Sequence, residues 1–526
     1  MSLTKKLEHY FGFSSFREKQ IRIVKGALKN YDQLVILPTG SGKSICYQLP
    51  ALIQGGITIV ISPLKSLIKD QINNLQKKNI NAVGYYGDVG EKKKDEILCE
   101  MLKENPKFNL IYTTPETLDN NIQFALNLRN IMENKTLKRF VIDEAHCVSL
   151  WGNDFRNSYR KLSNLKNHFP DIPIMALTAT ATLQVRKDMV HQLNFKKYHL
   201  YTKSYYRSNL KIKIFKRDKN YYSYLLNIVK EQFSDSTGII YCLSRKKCDK
   251  LAEKLQIDGI NAQSYHAGLS TKNRINIENN WKTNVTRIIV ATIAFGMGID
   301  KKDVRFVIHN NLPTSLENYY QEIGRGGRDD EPCYCIMFYS YQDKIILERM
   351  IRENSFKSKN TKYIEHQLDK LSAMINFCED RTECRHCRIS NYLGEQRCFE
   401  KDRCVSSCDN CINSGNLEKE DVTIIAKDIL NLIIQLGSSP YKSTLVDSFR
   451  YLQNYDNYKL KYGSKAKLKE MFNRVIIYMI INKYIEESLV RNSYGFWSEK
   501  YRLYKRSKNI LENKEKIFLL VDKNEI

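Results

Sequence analysis

In VIDEAHCVSLWGNDFR (141–156) an apolar run ends in two carboxylates, Asp143 and Glu144, and is soon followed by Trp151, Phe155 and Arg156. Adjacent acids at the end of a strand can hold a divalent cation through water and orient or deprotonate an attacking water. A second chemical segment lies upstream, LVILPTGSGKS (34–44). Backbone N–H groups at a Gly-rich turn that opens a helix cradle phosphates. Here Thr39, Gly40, Ser41 and Gly42 form the turn, Lys43 neutralises β/γ charge and the Ser44 hydroxyl can ligate Mg²⁺. The strict phosphate-loop pattern begins with glycine, where this chain has Leu37. The aromatics beside the acids raise the question of what is sensed where something is hydrolysed.

Acids and phosphate loop must sit on neighbouring strand ends to cooperate, and the pattern supplies such strands. From about residue 20 to 200, apolar runs (QLVILP, GITIVIS, FNLIYTT, RFVIDEA, IPIMALTA) alternate with helix-length segments, as parallel βαβ units do. In α/β sheets ligands bind at the C-terminal strand edge. The rhythm returns between about 236 and 311 in STGIIYCLS, NAQSYHAG, TRIIVATIA and VRFVIHNN. Two α/β domains are therefore expected, joined through the polar stretch near 201–219. Residues 343–373 read as helical, a cysteine cluster follows, and NSGNLEKED (413–421) reads as a linker.

The 526 residues suggest three or four domains, and 42% apolar content argues against disorder. No apolar run approaches the roughly 20 residues of a membrane span, and the N-terminus lacks a signal-peptide core, so no membrane association and an intracellular location are expected. Lys and Arg number 84 against 58 acids, a net charge of +26 that suits a polyphosphate partner such as nucleic acid. Seven of the 14 cysteines fall between Cys378 and Cys411, and clustered thiols in a reducing compartment point to a metal.

Taken together, the motifs and their order resemble the RecQ family of superfamily 2 DNA helicases. LEHYFGFSSFREKQ (7–20) is similar to the family's adenine-recognition motif, which implies Arg17 and Gln20 at the base of ATP. ICYQLPA, VISPLKSLIKDQ, TTPE and ALTATAT follow, then YHAGL, VATIAFGMGIDKKDVRFVIH and YYQEIGRGGRD. The resemblance implies two tandem RecA-like domains (1–203 and 204–345), a zinc-binding helical subdomain (346–415) and a winged-helix domain (416–526). Ending at Ile526, the chain matches a short form without a further C-terminal helical domain. Arg325 and Arg328 would reach across a cleft to the γ-phosphate, Arg328 being the better finger, with Asp300 at the same cleft. Trp151, Phe155, Arg156 and Thr292 would contact single-stranded nucleic acid, where stacking on aromatics tolerates any base. The family usually reads S-Q-W-G-H-D-F-R-P around the aromatics, whereas this chain has Leu150, Asn153 and Asn157. Packing under a loop is the other role open to the aromatics.

CRHCRISNYLGE (384–395) and RCVSSCDNC (403–411) supply Cys384, Cys404, Cys408 and Cys411, a set that suits structural Zn²⁺, with Cys387 and Cys398 as substitutes. Between 441 and 508 there are 15 Lys or Arg and 6 acids. KAKLKEMFNRVIIYMIINKYIEE reads as an amphipathic helix and YIEESLVRNSYGFWSEKYRLY as a hairpin turning near 492–495. In the family's winged-helix domain such a hairpin stands where strands part, which places Tyr494, Phe496 and Trp497 as wedge candidates. The expected activity is 3′-to-5′ translocation on single-stranded and forked DNA, powered by ATP and Mg²⁺, in repair, recombination or replication, by a monomer or weak oligomer. An RNA helicase and a DNA translocase that remodels complexes without unwinding are the alternatives.

Overall fold

The structure is a computed structural model and describes residues 1–149, 151, 157–296, 301–355, 361–395, 403–404, 406–437, 439–452, 454–491 and 497–522. The chain divides into two compact units. One comprises Met1–Ser340, Thr361–His366 and Cys384–Cys408; the other comprises Tyr341–Asn360, Gln367–Glu383 and Asp409–Ile526.

The first unit holds two parallel sheets. One is built from β1 (Gln33–Ile36), β2 (Ile57–Ile61), β3 (Ala82–Tyr85), β4 (Leu110–Thr113), β5 (Leu137–Ile142), β6 (Ile174–Thr178) and β7 (His199–Thr202), in the order β3-β4-β2-β5-β6-β1-β7. Strands β1, β2 and β6 are buried at every position, as sheets covered by helices on both faces require. Val35, Val60, Val141 and Leu177 pack with the helices Gln20–Leu28 and Ile45–Gln54 into one core. Each such side chain contributes about 1.5–3 kcal/mol when buried. The second sheet contains β8 (Leu210–Lys216), β9 (Thr237–Tyr241), β10 (Ala262–Tyr265), β11 (Ile288–Ala291), β12 (Val304–His309) and β13 (Cys333–Tyr339), in the order β10-β11-β9-β12-β13-β8. Its core gathers Ile240, Val290, Phe306, Ile308 and Ile336.

The joining stretch is shorter than the sequence suggests. Residues 199–202 add an edge strand to the first sheet and 210–216 an edge strand to the second, leaving only 203–209 between them. Lys alternates with Ile in LKIKIFK, so one face packs inward while the other keeps its charge at the surface. Both strands are edge strands, where polar side chains are tolerated.

The second unit is helical with two small antiparallel sheets. The helices Thr423–Gln435 and Lys465–Ile481 bury Ile429, Phe472 and Val475 against Leu445 and Tyr501. Strands β15 (Ile485–Arg491) and β16 (Trp497–Leu503) form the expected hairpin, in register from Ile485↔Leu503 to Arg491↔Trp497. The NSGNLEKED reading needs correction: Leu417–Asp421 is a strand, β14, paired antiparallel with β17 (Phe518–Asp522). Its charged side chains are mostly exposed, which is why it reads as a linker.

Candidate nucleotide-binding site

Strand β1 feeds the phosphate loop and β5 feeds the acids, with β6 between them. The sheet hydrogen bonds extend past the strand ends: Leu37 N–H donates to Thr178 O at 3.1 Å and Asp143 N–H to Ile61 O at 2.9 Å. Backbone bonds thus fix the loop and the acid pair at strand tips on either side of β6. Gly42 has φ +76°, and a Cβ there would stand 2.5 Å from Gln20 Nε2, so the turn admits only glycine. Arg17 and Gln20 grip this loop: Arg17 Nη1 donates to Gly40 O, and Gln20 Nε2 donates to Gly42 O at 3.0 Å and Ser41 O at 3.3 Å. Ser44 precedes the helix Ile45–Gln54 without making a side-chain cap. Lys43 Nζ donates to Leu37 O at 3.2 Å. Burial holds the Lys43 pKa below its usual value against the pull of Glu144 and Asp143, and the Arg328 charge adds to the lowering.

The acids differ in state. Burial, and then the charge of Glu144, push the Asp143 carboxyl up to about 7. Burial would raise Glu144 too, but His146, Lys43 and Arg325 together draw it down to about 2. His146 is itself driven towards its charged form: burial opposes this, while Cys147 and Glu144 favour it. Its Nδ1 lies 2.9 Å from Thr178 Oγ1 and 3.3 Å from Glu144 Oε2. Glu144 has φ +48°, a left-handed backbone that costs about 1–2 kcal/mol in a non-glycine residue and places the carboxylate at the tip of β5.

The second sheet supplies the facing wall. The helix Leu316–Ile323 runs into Gly324, Arg325, Gly326, Gly327 and Arg328. A Cβ on Gly40 would stand 3.6 Å from Arg328 Cγ, so this arginine lies against the phosphate loop. Arg325 is buried, and its charge is felt at Glu144. Gln321 Nε2 completes the contact by donating to Thr180 Oγ1 at 3.1 Å. Among the described residues, Arg325 Nε is buried without a hydrogen-bond partner, and Glu144 Oε2 is buried with His146 Nδ1 beside it at 3.3 Å. A donor left open on one wall and a carboxylate held ionised on the other fit a polar ligand such as a triphosphate with its attacking water.

Other expected contacts are distributed differently. Trp151 is half-buried; its ring meets His366 edge-on at 4.9 Å, and its carbonyl accepts from His366 Nε2 at 3.0 Å. Thr292 caps a turn after β11, its hydroxyl accepting from Ala294 N–H at 3.4 Å. Phe155, Arg156, Asp300, Tyr494 and Phe496 lie outside the described residues, as do Leu150, Asn153 and Cys398. Sequence reading missed His146, Thr178, Gln321 and His366. ALTATAT and YYQEIGRGGR already contained Thr178 and Gln321, whereas nothing flagged His366.

The ligand sulfurs of Cys384, Cys404, Cys408 and Cys411 all lie within 4.8 Å of one another. Cys384 Sγ and Cys408 Sγ are 3.9 Å apart. Four thiolates at about 2.3 Å from one tetrahedral Zn²⁺ would be about 3.8 Å apart, so the group fits that ion. Cys387, on the helix Arg385–Tyr392, is not among the clustered thiols.

Two parallel sheets, one ending in a phosphate loop and acid pair and the other presenting arginines to it, define the two-lobed helicase class. Residues 17–189 match the DEAD/DEAH box helicase family, 220–330 the helicase conserved C-terminal domain and 341–412 the RecQ zinc-binding family. Among solved structures, S. cerevisiae Dbp5 bound to RNA and ADP BeF3 shares this fold, with a TM-score of 0.51 and 18% identity over 70% of this chain and 97% of that one. The ATP-dependent DNA helicase Q1 of Mus musculus is 33% identical over 495 residues, 93% of this chain and 74% of the relative. The ATP-dependent DNA helicase hus2/rqh1 of Schizosaccharomyces pombe is 42% identical over 449 residues, 84% of this chain but 33% of the relative. The chain belongs to the RecQ helicase family. It spans between 31% and 50% of the length of the first five curated relatives it matches. No helix among the described residues is long and apolar enough to cross a membrane.

Proposed function

We propose that the protein is an ATP-dependent DNA helicase that moves 3′ to 5′ on single-stranded DNA and separates forked duplexes during repair, recombination or replication. One observation carries this reading: arginines of the second lobe stand at the phosphate loop and acid pair of the first, so hydrolysis requires both lobes together. Residues Thr39 to Ser44 would bind the phosphates, and Arg17 and Gln20 would face the base from their grip on the loop. Asp143 and Ser44 would hold Mg²⁺, which supplies positive charge to the β/γ oxygens when bound. Glu144, held ionised by its neighbours, is suited to orient the attacking water and take its proton. Arg328, with Arg325, would offset the charge that develops on the γ-phosphoryl group. Asp300 would link cleft closure to nucleotide state.

Trp151, Phe155, Arg156 and Thr292 would track the single strand. The thiol quartet would hold a structural zinc, and the basic helices with the β15–β16 hairpin would act as a winged helix, with Tyr494, between the two strands in sequence, as a strand-parting wedge. Single-stranded DNA should stimulate ATP hydrolysis far more than RNA of the same sequence, and a fork with a 3′ tail should be unwound in preference to one with a 5′ tail. Equal stimulation by RNA would replace DNA with RNA as the track. Stimulation without unwinding would leave a translocase.

A further inference from the structure

The seven residues that join the lobes make contacts on two opposite sides. Arg207 donates from its guanidinium to three carbonyls of the arginine-bearing loop: Gly324 at 3.4 Å, Gly326 at 3.1 Å, and Gly327. Two residues on, Asn209 Nδ2 donates to Gly327 O at 2.8 Å and Glu331 O at 2.9 Å, while Asn209 O accepts from Cys333 N–H at 2.8 Å. Alternate positions turn the other way. The Tyr206 ring meets His386 edge-on at 5.1 Å, and Ser208 O accepts from Ser407 Oγ at 3.1 Å. His386 and Ser407 flank Cys384 and Cys408 of the thiol quartet. The contacts of Tyr206 and Ser208 thus go to the thiol-bearing segments and those of Arg207 and Asn209 to the arginine loop, while Leu210 N–H bonds back to Arg207 O at 3.1 Å to close a turn between them.

A helix end leaves carbonyls without partners, and its dipole favours a cation there. Arg207 brings a cation to the C-cap residue Gly324 of Leu316–Ile323, the helix that delivers Arg325 and Arg328, and gives the Gly326 and Gly327 carbonyls beyond it a donor. The amides of Arg325 to Arg328 bond backbone carbonyls, and Arg207 and Asn209 hold the loop from its carbonyl side. Gly327 has φ +54°, and a Cβ there would stand 2.5 Å from Asn209 Nδ2, so loop and joining segment are fitted to each other. Building on the function proposed above, we infer that 205–209 is a splint, and that Arg207 is a positioning residue that holds the arginine loop in register with the phosphate loop. Through Ser208 the splint also carries the state of the zinc-bearing segment to those arginines.

The test uses the zinc-loaded full chain. Arg207→Ala should lower the kcat of DNA-stimulated ATP hydrolysis by ~10- to ~100-fold, the scale expected for a misplaced catalytic group, with the KM for ATP nearly unchanged. Arg207→Lys, which keeps the charge but not the fork, should fall between the two. In an Arg328→Ala background Arg207→Ala should add almost nothing, whereas a general loss of fold would multiply through. Ser407→Ala should cost less than Arg207→Ala, and its effect should vanish once Arg207 is gone. Hydrogen exchange offers a readout independent of activity: the amides of Arg325 to Arg328, bonded to Glu322, Ile323, Val304 and Lys302 carbonyls, should exchange faster in Arg207→Ala. Unchanged exchange in that loop, or full multiplication on the Arg328→Ala background, overturns the splint. A wild-type chain that hydrolyses no ATP overturns only the helicase reading, because the exchange result still decides the splint.

Discussion

The two walls of the nucleotide cleft are held by different means. On the first lobe, the phosphate loop and acids hang from strand tips, secured by the backbone bonds Leu37 to Thr178 and Asp143 to Ile61. On the second, the arginines ride a glycine-rich loop whose amides bond backbone carbonyls but whose own carbonyls at Gly324, Gly326 and Gly327 are held by side chains from a distant joining segment. Sheet hydrogen bonds depend on no particular side chain, so apart from Gly42 and the Arg17 and Gln20 grip on the loop the first wall tolerates change away from its reacting groups. The second wall depends on residues that touch no substrate.

The largest effect should come from the first wall. Lys43→Ala removes the ammonium of the phosphate loop and should bring ATP hydrolysis to background, with DNA binding retained because the basic surfaces remain. Loss of DNA binding as well would mean that the wall is not independent of the track. The second wall comes next: Arg328→Ala should lower kcat by ~1000-fold, as loss of a trans arginine does. Arg325→Ala should also slow the reaction but shift its pH profile, since this arginine helps keep Glu144 ionised. Identical profiles for the two variants would erase the distinction drawn between them.

That asymmetry also explains what could be read without a structure. The phosphate loop, acids, paired lobes and thiol cluster were legible because each is a short run of adjacent residues on a strand end or turn. Arg207 was not, because its partners are more than a hundred positions away and are carbonyls, which carry no mark in the sequence. The strand Leu417–Asp421 was missed for the same reason: its register is set by Phe518–Asp522, and its own charges imitate a linker. His366 was equally hidden, lying far along the chain from Trp151.

A smaller effect separates the two acids of the first wall. With Asp143 pushed up to about 7, about half of this carboxyl is protonated at neutral pH, and a Mg²⁺ held there, as proposed, would displace the proton. Apparent affinity for Mg·ATP should therefore fall by ~10-fold from pH 8 to pH 6, and Asp143→Asn should flatten that dependence while weakening binding throughout. The stability linkage has the matching sign. Because the folded-state value is raised, the stability contributed by Asp143 in the free protein is complete below about pH 4 and lost as pH rises through about 7. A flat affinity profile in the unaltered protein would mean that Asp143 is ionised before the metal arrives.

The smallest effect tests whether the first wall is as self-contained as its backbone bonds suggest. Trp151 follows the acids closely, yet its carbonyl and ring are held by His366, far along the chain. If Trp151 senses the strand, His366 tunes the sensor without touching nucleotide. Losing one hydrogen bond of about 1 kcal/mol then predicts that His366→Ala raises the DNA concentration for half-maximal stimulation by ~5-fold, with basal hydrolysis and zinc content unchanged. Trp151→Ala should do more, since stacking on one base is worth about 1–3 kcal/mol. If both variants respond to DNA as the unaltered chain does, Trp151 is a packing residue and the first wall owes nothing to distant side chains. If His366→Ala shifts the response, the first wall too has a remote support, placed at its DNA sensor rather than at its catalytic groups.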